Sequence, residues 1–394
     1  VRRAALIALA ALAGALPALA DPLDVALGKA LFERSWIPAP ASTESADGLG
    51  PLFNARSCAA CHAGGGPARF TADAGQARAQ GLVLRSAGPD GEPHPLFGAQ
   101  IQTRSVPGLK AEAELTVSLA DRLAVTARFP AEHRDDVLLE ARSAPSLRGR
   151  GAIDRIDDAA ILALADPQDR NGDGISGRPQ LVASETGDVR PGRFGSKATG
   201  LDLLHQAASA AALDLGLSSP LLQKPHGDCT ALQAECLARA TGRSGRTDGE
   251  EMSSEMLRLI ATYVDSLAAP DPDWSQTGFA VFIAAGCAAC HVPRMPARGG
   301  GDVIIFSDLL LHDLGDGDAG SVRDGAALPG EWRSAPLRDL APRAGTRRYL
   351  HGGAAATLEA AITLHGGEAA AARDKVQRLD GRERQLLLDF LSGL

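Results

Sequence analysis

The chain has 394 residues, a formal net charge of −8 and an aromatic content of 4%, with two Tyr and three Trp. The acidic balance argues against nucleic acid as a partner, which would need a surplus of Lys and Arg; a solvated surface or a partner with a basic face suits it better. Two or three domains fit the length, and so few aromatic side chains leave core volume for a bulky cofactor to fill.

Residues 1–20 have the layout of a secretory signal: Arg2 and Arg3, an apolar run from Ala4 to Ala15, and the small-residue site Ala18-Leu19-Ala20. The mature chain is expected to begin at Asp21, to carry a charge of about −10 without the two arginines, and to be periplasmic. The initial Val reads as a non-AUG start, which points to a bacterium. No later stretch is long and apolar enough to span a bilayer. Leu23, Leu27 and Leu31 predict a short helix, and a Pro/Ser/Gly-rich segment leads from it into Ser57-Cys58-Ala59-Ala60-Cys61-His62.

That motif recurs as Gly286-Cys287-Ala288-Ala289-Cys290-His291. Cys-x-x-Cys-His is the attachment signature of c-type haem. Both thiols add across the vinyl groups at one edge of the ring, and the following His reaches the iron. A zinc knuckle would draw four ligands from neighbouring pairs, and a redox dithiol needs no His after its second Cys. Two covalent haems are therefore expected, held by Cys58, Cys61, Cys287 and Cys290, with His62 and His291 as proximal ligands.

Between the motifs, alternating residues predict strands at 115–119 and 123–127 within a β-rich insertion spanning 82–129. A helix is expected from Asp157 to Ala165. Asp169-x-Asn171-x-Asp173-Gly174 then imitates the first half of a calcium loop, although its twelfth position is Gln180 in place of the bidentate Glu. Asp169, Asn171 and Asp173 are candidate calcium ligands, with a plain Asp/Asn/Gly turn as the equal alternative. An Ala-rich helix over 197–217 carries His205. Cys229 and Cys236, outside both motifs, are expected to form a disulfide in an exported chain. A helix over 251–267 ends in the linker-like Ala269-Pro270-Asp271-Pro272-Asp273. Beyond it, helices carrying Phe279 and Phe282, and Leu386, Leu387, Phe390 and Leu391, are expected to cross and enclose the second haem.

The segments Asp308 to Gly315, Glu331 to Leu337 and Thr357 to Ala369 resemble the bacterial di-haem oxidoreductases, relatives of the di-haem cytochrome c peroxidases. Asn54 to His62, Phe97 to Gln102, Asp169 to Arg178 and Asp214 to Gly216 extend the likeness over nearly the whole mature chain. Two places depart from the family pattern. His351-Gly352-Gly353-Ala354-Ala355-Ala356 lacks an acid and two arginines, and Arg193-Phe194-Gly195-Ser196-Lys197 has Ser for Trp. These changes remove groups for a propionate salt bridge and for a Trp relay at those points. The resemblance implies that His365 is the second axial ligand of the C-terminal haem, from its spacing after His351. His351 and His312 are read as hydrogen-bonding near the haem edge. His205 is the candidate sixth ligand of the N-terminal haem, an open iron being the alternative. Gln102 and Glu112 are the candidate acid–base pair.

The expected fold class is mainly α, with two cytochrome c-like haem domains. Residues 21–270 would form the N-terminal one, with irregular and β-rich insertions, and residues 273–394 the C-terminal one. The expected function is a periplasmic di-haem oxidoreductase, peroxidase-like, taking electrons from a small carrier protein and passing them to peroxide or another small oxidant. A pure electron-transfer cytochrome and a metal-uptake accessory with structural haems are the alternatives.

Overall fold

The computed structural model describes residues 20–394 except 44–45, 74–75, 121, 131–135, 275, 316–319 and 344–345. The signal-like segment up to residue 19 and His133 lie outside the described residues. The described residues form ten α-helices: α1 (Pro22–Glu33), α2 (Cys58–Cys61), α3 (Asp158–Ala163), α4 (Leu203–Ala210), α5 (Ala234–Leu237), α6 (Ser254–Ser266), α7 (Thr277–Ala285), α8 (Leu358–Thr363), α9 (Ala370–Arg378) and α10 (Gly381–Ser392).

The expectation of a mainly α fold is not met: about 30% of the chain is helical and 21% is strand. The physical reason lies in composition. With 44 Gly and 24 Pro, long helices are interrupted, and the segments between them close into short ladders. The sheets of the described residues have two or three strands each. Glu114–Leu119 pairs antiparallel with Leu123–Arg128, Val117 opposite Val125, and exposure alternates along both strands as the period-two pattern requires. Leu82–Ala87 runs between Leu138–Ser143 and Gln100–Ile101.

Two helix crossings frame the molecule. In α1 the buried positions are Gly28, Leu31 and Phe32, while Leu23 and Leu27 face solvent at 63% and 45% exposure. The buried stripe is displaced from the predicted leucine face because Gly28 sits directly against the backbone of α6. A Cβ built there would lie 2.0 Å from the Leu259 carbonyl oxygen. Phe32 and Tyr263 meet edge to face at 5.2 Å beside this contact. The second crossing repeats the device: a Cβ on Gly278 of α7 would lie 2.0 Å from the Leu386 carbonyl oxygen of α10. Phe279, Phe282, Phe306 and Phe390 pack around it with centroids 5.5 to 6.5 Å apart. Helix α10 opens with the full Asp380–Glu383 capping box, a cap of about 1 kcal/mol.

The largest core unites Phe32, Trp36 and Ile260 with Val303, Leu309 and Leu310. Polar contacts also join early and late segments. Ser146 donates its hydroxyl to Asp339 at 2.5 Å, and the Ser143 amide donates to the His351 carbonyl at 2.7 Å.

Candidate functional site

The first motif is one helical turn, α2. Its cap is Ser57, whose hydroxyl accepts the Ala60 amide at 3.1 Å. The turn closes with the His62 amide on the Cys58 carbonyl at 2.9 Å, bringing both thiols to one side. His62 then donates from Nδ1 to the Pro145 carbonyl at 3.0 Å, an orientation in which Nε2 would be the ligating nitrogen. In the second motif, Gly286 adopts a left-handed conformation (φ 89°) that ends α7 and starts the Cys287–Ala289 turn. His291 repeats the orientation, donating from Nδ1 to the Phe306 carbonyl at 3.0 Å. Phe306 is fully buried and itself holds a positive φ of 54°, a strained backbone that the surrounding packing imposes.

Desolvation holds both motif histidines well below the usual imidazole range, at about 4, so each is neutral near pH 7. For His291 the neighbouring His365 adds to that effect. Burial likewise pushes Cys58 and Cys61 up to about 12, with the Asp214 charge second, and Cys287 up to about 11.

His365 follows the C-terminus of α8, with Nδ1 on the Ala361 carbonyl at 2.8 Å. Its ring faces that of His291, with centroids 6.5 Å apart and planes inclined at 54°. Two imidazoles on opposite sides of one metal ion would place their centroids about 6.4 Å apart, taking roughly 2.0 Å per metal–nitrogen bond and about 1.2 Å from nitrogen to ring centre. The fold thus brings His365, expected as a ligand from its sequence spacing, beside His291.

His312 lies beside the same motif, Nδ1 3.7 Å from the Cys290 sulfur. It donates from Nδ1 to Glu368 at 2.8 Å and from Nε2 to Asp308 at 2.9 Å. Burial opposes its protonation, but the bonds to Asp308, Cys290 and Glu368 outweigh it and raise its pKa to about 12. Ligand atoms of Cys290, Asp308 and His312 come within 4.8 Å of one another; both ring nitrogens are already on carboxylates, and Cys290 belongs to the motif. His351 donates from Nε2 to the Arg333 carbonyl at 2.9 Å and stacks on Trp332 at 4.6 Å.

Gln102 and Glu112 are brought together and are 2% and 6% exposed. The Gln102 amide donates to Glu112 Oε2 at 2.6 Å, and Gln233 donates to Glu112 Oε1 at 2.6 Å. Burial raises the Glu112 carboxyl to about 8 despite those donors. Asn54, four residues before Cys58, donates to Gln102 Oε1 at 3.0 Å. Gln100 donates to Asp214 at 2.8 Å, and the Asp214 charge acts on both Cys58 and Cys61. These residues form a wall beside the first motif. His205 stands on α4, half-buried, with Nδ1 buried and without a hydrogen-bond partner.

Asp169, Asn171 and Asp173 occupy an exposed turn. Asp169 accepts the Asp173 and Gly174 amides at 3.0 and 3.2 Å, and Asp173 accepts the Ile175 amide at 2.9 Å, bonds that an Asp/Asn turn makes by itself. Gln180 points inward, donating to the Lys197 and Asp324 carbonyls at 2.6 and 3.0 Å. Cys229 and Cys236 face each other with Cα atoms 6.3 Å apart, within disulfide reach.

Residues 124–394 match the protein family described as "Di-haem oxidoreductase, putative peroxidase". The chain belongs to this family. A search of curated proteins finds no match. Among solved structures, a chain of Kuenenia stuttgartiensis hydrazine synthase, pressurized with 20 bar xenon, is 16% identical over 100% of both chains, with a TM-score of 0.34.

Membership of the di-haem family implies haem, and the residues present suit it. Each motif offers two thiols on one turn and a neutral imidazole oriented through its own Nδ1. A haem also carries two carboxylates, and a matching set of cations gathers between the two motifs. Arg333 and Arg338 are buried, and Arg150 and Arg347 are half-buried. Burial first, and then the neighbouring guanidiniums Arg333 and Arg347, push Arg150 down to about 9; burial pushes Arg333 down to about 10. Arg338 Nε and Nη1 and Arg347 Nε are buried without hydrogen-bond partners. Leftover guanidinium N–H groups in a buried site call for carboxylates. These arginines come from segments other than residues 351–356. Sequence reading missed this cluster, although five arginines between residues 333 and 348 were a signal for it.

Proposed function

We propose that this chain is an exported di-haem enzyme that passes electrons from a small carrier protein to peroxide, with the haem of the second motif as relay and that of the first as reaction centre. The observation that carries this reading is an asymmetry. His291 faces His365 at 6.5 Å, whereas no ring faces His62 among the described residues. Haem iron held by two firm ligands relays electrons, while iron with one protein ligand binds small oxidants.

In this reading Cys58, Cys61, Cys287 and Cys290 hold the two groups as thioethers, and His62 and His291 are the proximal ligands. His365 completes the second site. Arg150, Arg333, Arg338 and Arg347 bind the propionates. Cleaving peroxide to two waters takes two electrons and two protons. Glu112, with a pKa of about 8, keeps its proton near neutral pH and is the candidate acid. Gln102 fixes the carboxyl through its backbone amide. The overall acidity suits a carrier with a basic face.

Stopped-flow mixing of half-reduced protein with hydrogen peroxide tests the proposal. The expected result is a rapid spectral change at a high-spin haem, assigned to the first motif by its loss in Cys58→Ala/Cys61→Ala. Wholly low-spin ferric spectra with no response to peroxide would leave an electron-transfer cytochrome instead. Osmotic-shock fractionation tests export.

A further inference from the structure

The hairpin that pairs Leu181–Ala183 antiparallel with Val189–Pro191 has two unlike faces. Val182 and Arg190, opposite one another, share the half-buried face, where Arg190 is bonded to Asp158 of α3 at 2.7 Å. The other face carries Leu181, Ala183 and Val189, with Leu181 55% and Val189 62% exposed. Leu162 and Leu164 of the α3 end are exposed as well. Single apolar side chains at a surface need no account. Here, however, four of the eleven large ones exposed among the described residues fall between 162 and 189.

Charge gathers in the same stretch. Residues 157–190 hold seven acids against three arginines, a net −4 that is half the charge of the whole chain. The arginines are engaged: Arg170 with Asp166, Arg178 with Glu331 and Arg190 with Asp158. Glu185 and Asp188, in the turn of the hairpin, and Asp169 and Asp173, in the turn before it, have no cation partner among the described residues. The link between these two turns leads to the second motif. Ser176 donates its hydroxyl to Glu368 at 2.7 Å, and Glu368 accepts from His312 at 2.8 Å. A Cβ on Gly177 would lie 2.6 Å from the His312 ring, whose Nδ1 is 3.7 Å from the Cys290 sulfur.

We propose that the apolar face of this hairpin is the docking surface for the electron carrier, a small redox protein with an apolar contact patch ringed by lysines. The inference rests on the reading that such a carrier supplies electrons to the haem of the second motif, and it assigns the place of contact. Three observations select this occupant. The uncompensated acids of the hairpin turn attract a basic partner and steer its approach. A second copy of the chain would bring the same acids against one another, because a two-fold contact matches a patch with itself. The patch is small, as suits a partner that must leave after each electron.

The test uses the haem-loaded full chain with a basic mitochondrial-type cytochrome c as probe and the same cytochrome, lysine-acetylated, as comparison. Calorimetry at low ionic strength reads binding. Stopped-flow mixing of the ferrous probe with the fully ferric chain, without peroxide, reads the electron that the probe loses and the second-motif haem gains. Leu181→Ser/Val189→Ser should weaken binding and slow this reduction by about tenfold or more, with the haem spectrum and far-ultraviolet circular dichroism as in the parent. Glu185→Lys/Asp188→Lys should weaken binding at low ionic strength and flatten its dependence on salt. Leu23→Ser/Leu27→Ser, the exposed pair on α1, should behave as the parent, and the acetylated probe should bind the parent weakly. Equal reduction of the parent and Leu181→Ser/Val189→Ser overturns the docking face and leaves the carrier reading standing. A parent dimer that the same double variant dissociates in sedimentation also overturns it, since a second copy would then be the occupant. Fast reduction of the parent and slow reduction of the variant upholds the docking face even where peroxide is not consumed.

Discussion

Gln233 grips Glu112 from inside the loop that Cys229 and Cys236 bracket, its side-chain amide donating to Oε1 at 2.6 Å. The candidate acid on one side of the first motif is therefore held by a segment more than a hundred residues further along the chain, and the state of two thiols bears on the ionisation of one carboxyl.

Glu112 titrates at about 8 in the fold against 4.5 for an unperturbed carboxyl, because burial disfavours its charge. Between those values the folded chain holds a proton that the unfolded chain has released, so this group's contribution to stability falls as pH rises from 4.5 through about 8. Glu112→Gln should flatten that slope in urea-unfolding series across pH. It should also slow peroxide consumption by roughly 10²- to 10⁴-fold at neutral pH, and the parent rate should decline above pH 8. Identical pH slopes for parent and variant would refute the ionisation argument.

A Cys229–Cys236 disulfide should be found by non-reducing peptide mapping; recovery of both as alkylated free thiols would count against it. Replacing both by Ala should lower stability by about 2 kcal/mol. It should also displace the alkaline limb of the peroxide rate upward, since the Gln233 bond is one of the interactions that lower the Glu112 pKa.

His365→Ala should convert the second-motif haem from low-spin to high-spin with a large change in potential, read by electron paramagnetic resonance and redox titration. A spectrum unchanged from the parent would remove His365 from the ligand set.

Intact mass spectrometry of the exported protein should give the peptide from Asp21 plus two covalently bound haems. Cys58→Ala/Cys61→Ala and Cys287→Ala/Cys290→Ala should each retain one. A parent mass with one haem or none would end the haem-attachment reading.

What was legible in the sequence was local. Cys-x-x-Cys-His spans one turn, the capping box of α10 spans four residues, and the strands around Val117 and Val125 announce themselves by alternation. The reading of His365 rests on its distance from His351, a spacing along one segment. The mainly α expectation failed because periodicity marks helices plainly, while short ladders such as Leu82–Ala87 with Leu138–Ser143 depend on partners far away in sequence. The arginine cluster between the motifs was hidden for the same reason. Arg150 and Arg338 belong to distant segments, and only folding sets them side by side. The buried stripe of α1 was not legible because its contact is made by Gly28, a residue that a hydrophobic pattern cannot register.

The two glycine-centred crossings differ in how long each must wait during synthesis. Gly278 meets its partner once residue 386 has been made, but Gly28 has none until residue 259 exists. As the chain is made, Cys58 and Cys61 emerge early and stay uncovered while about two hundred further residues follow. Their burial waits on a distant closure. The first pair of thiols is therefore open to modifying enzymes, and to stray oxidants, for longer than the second.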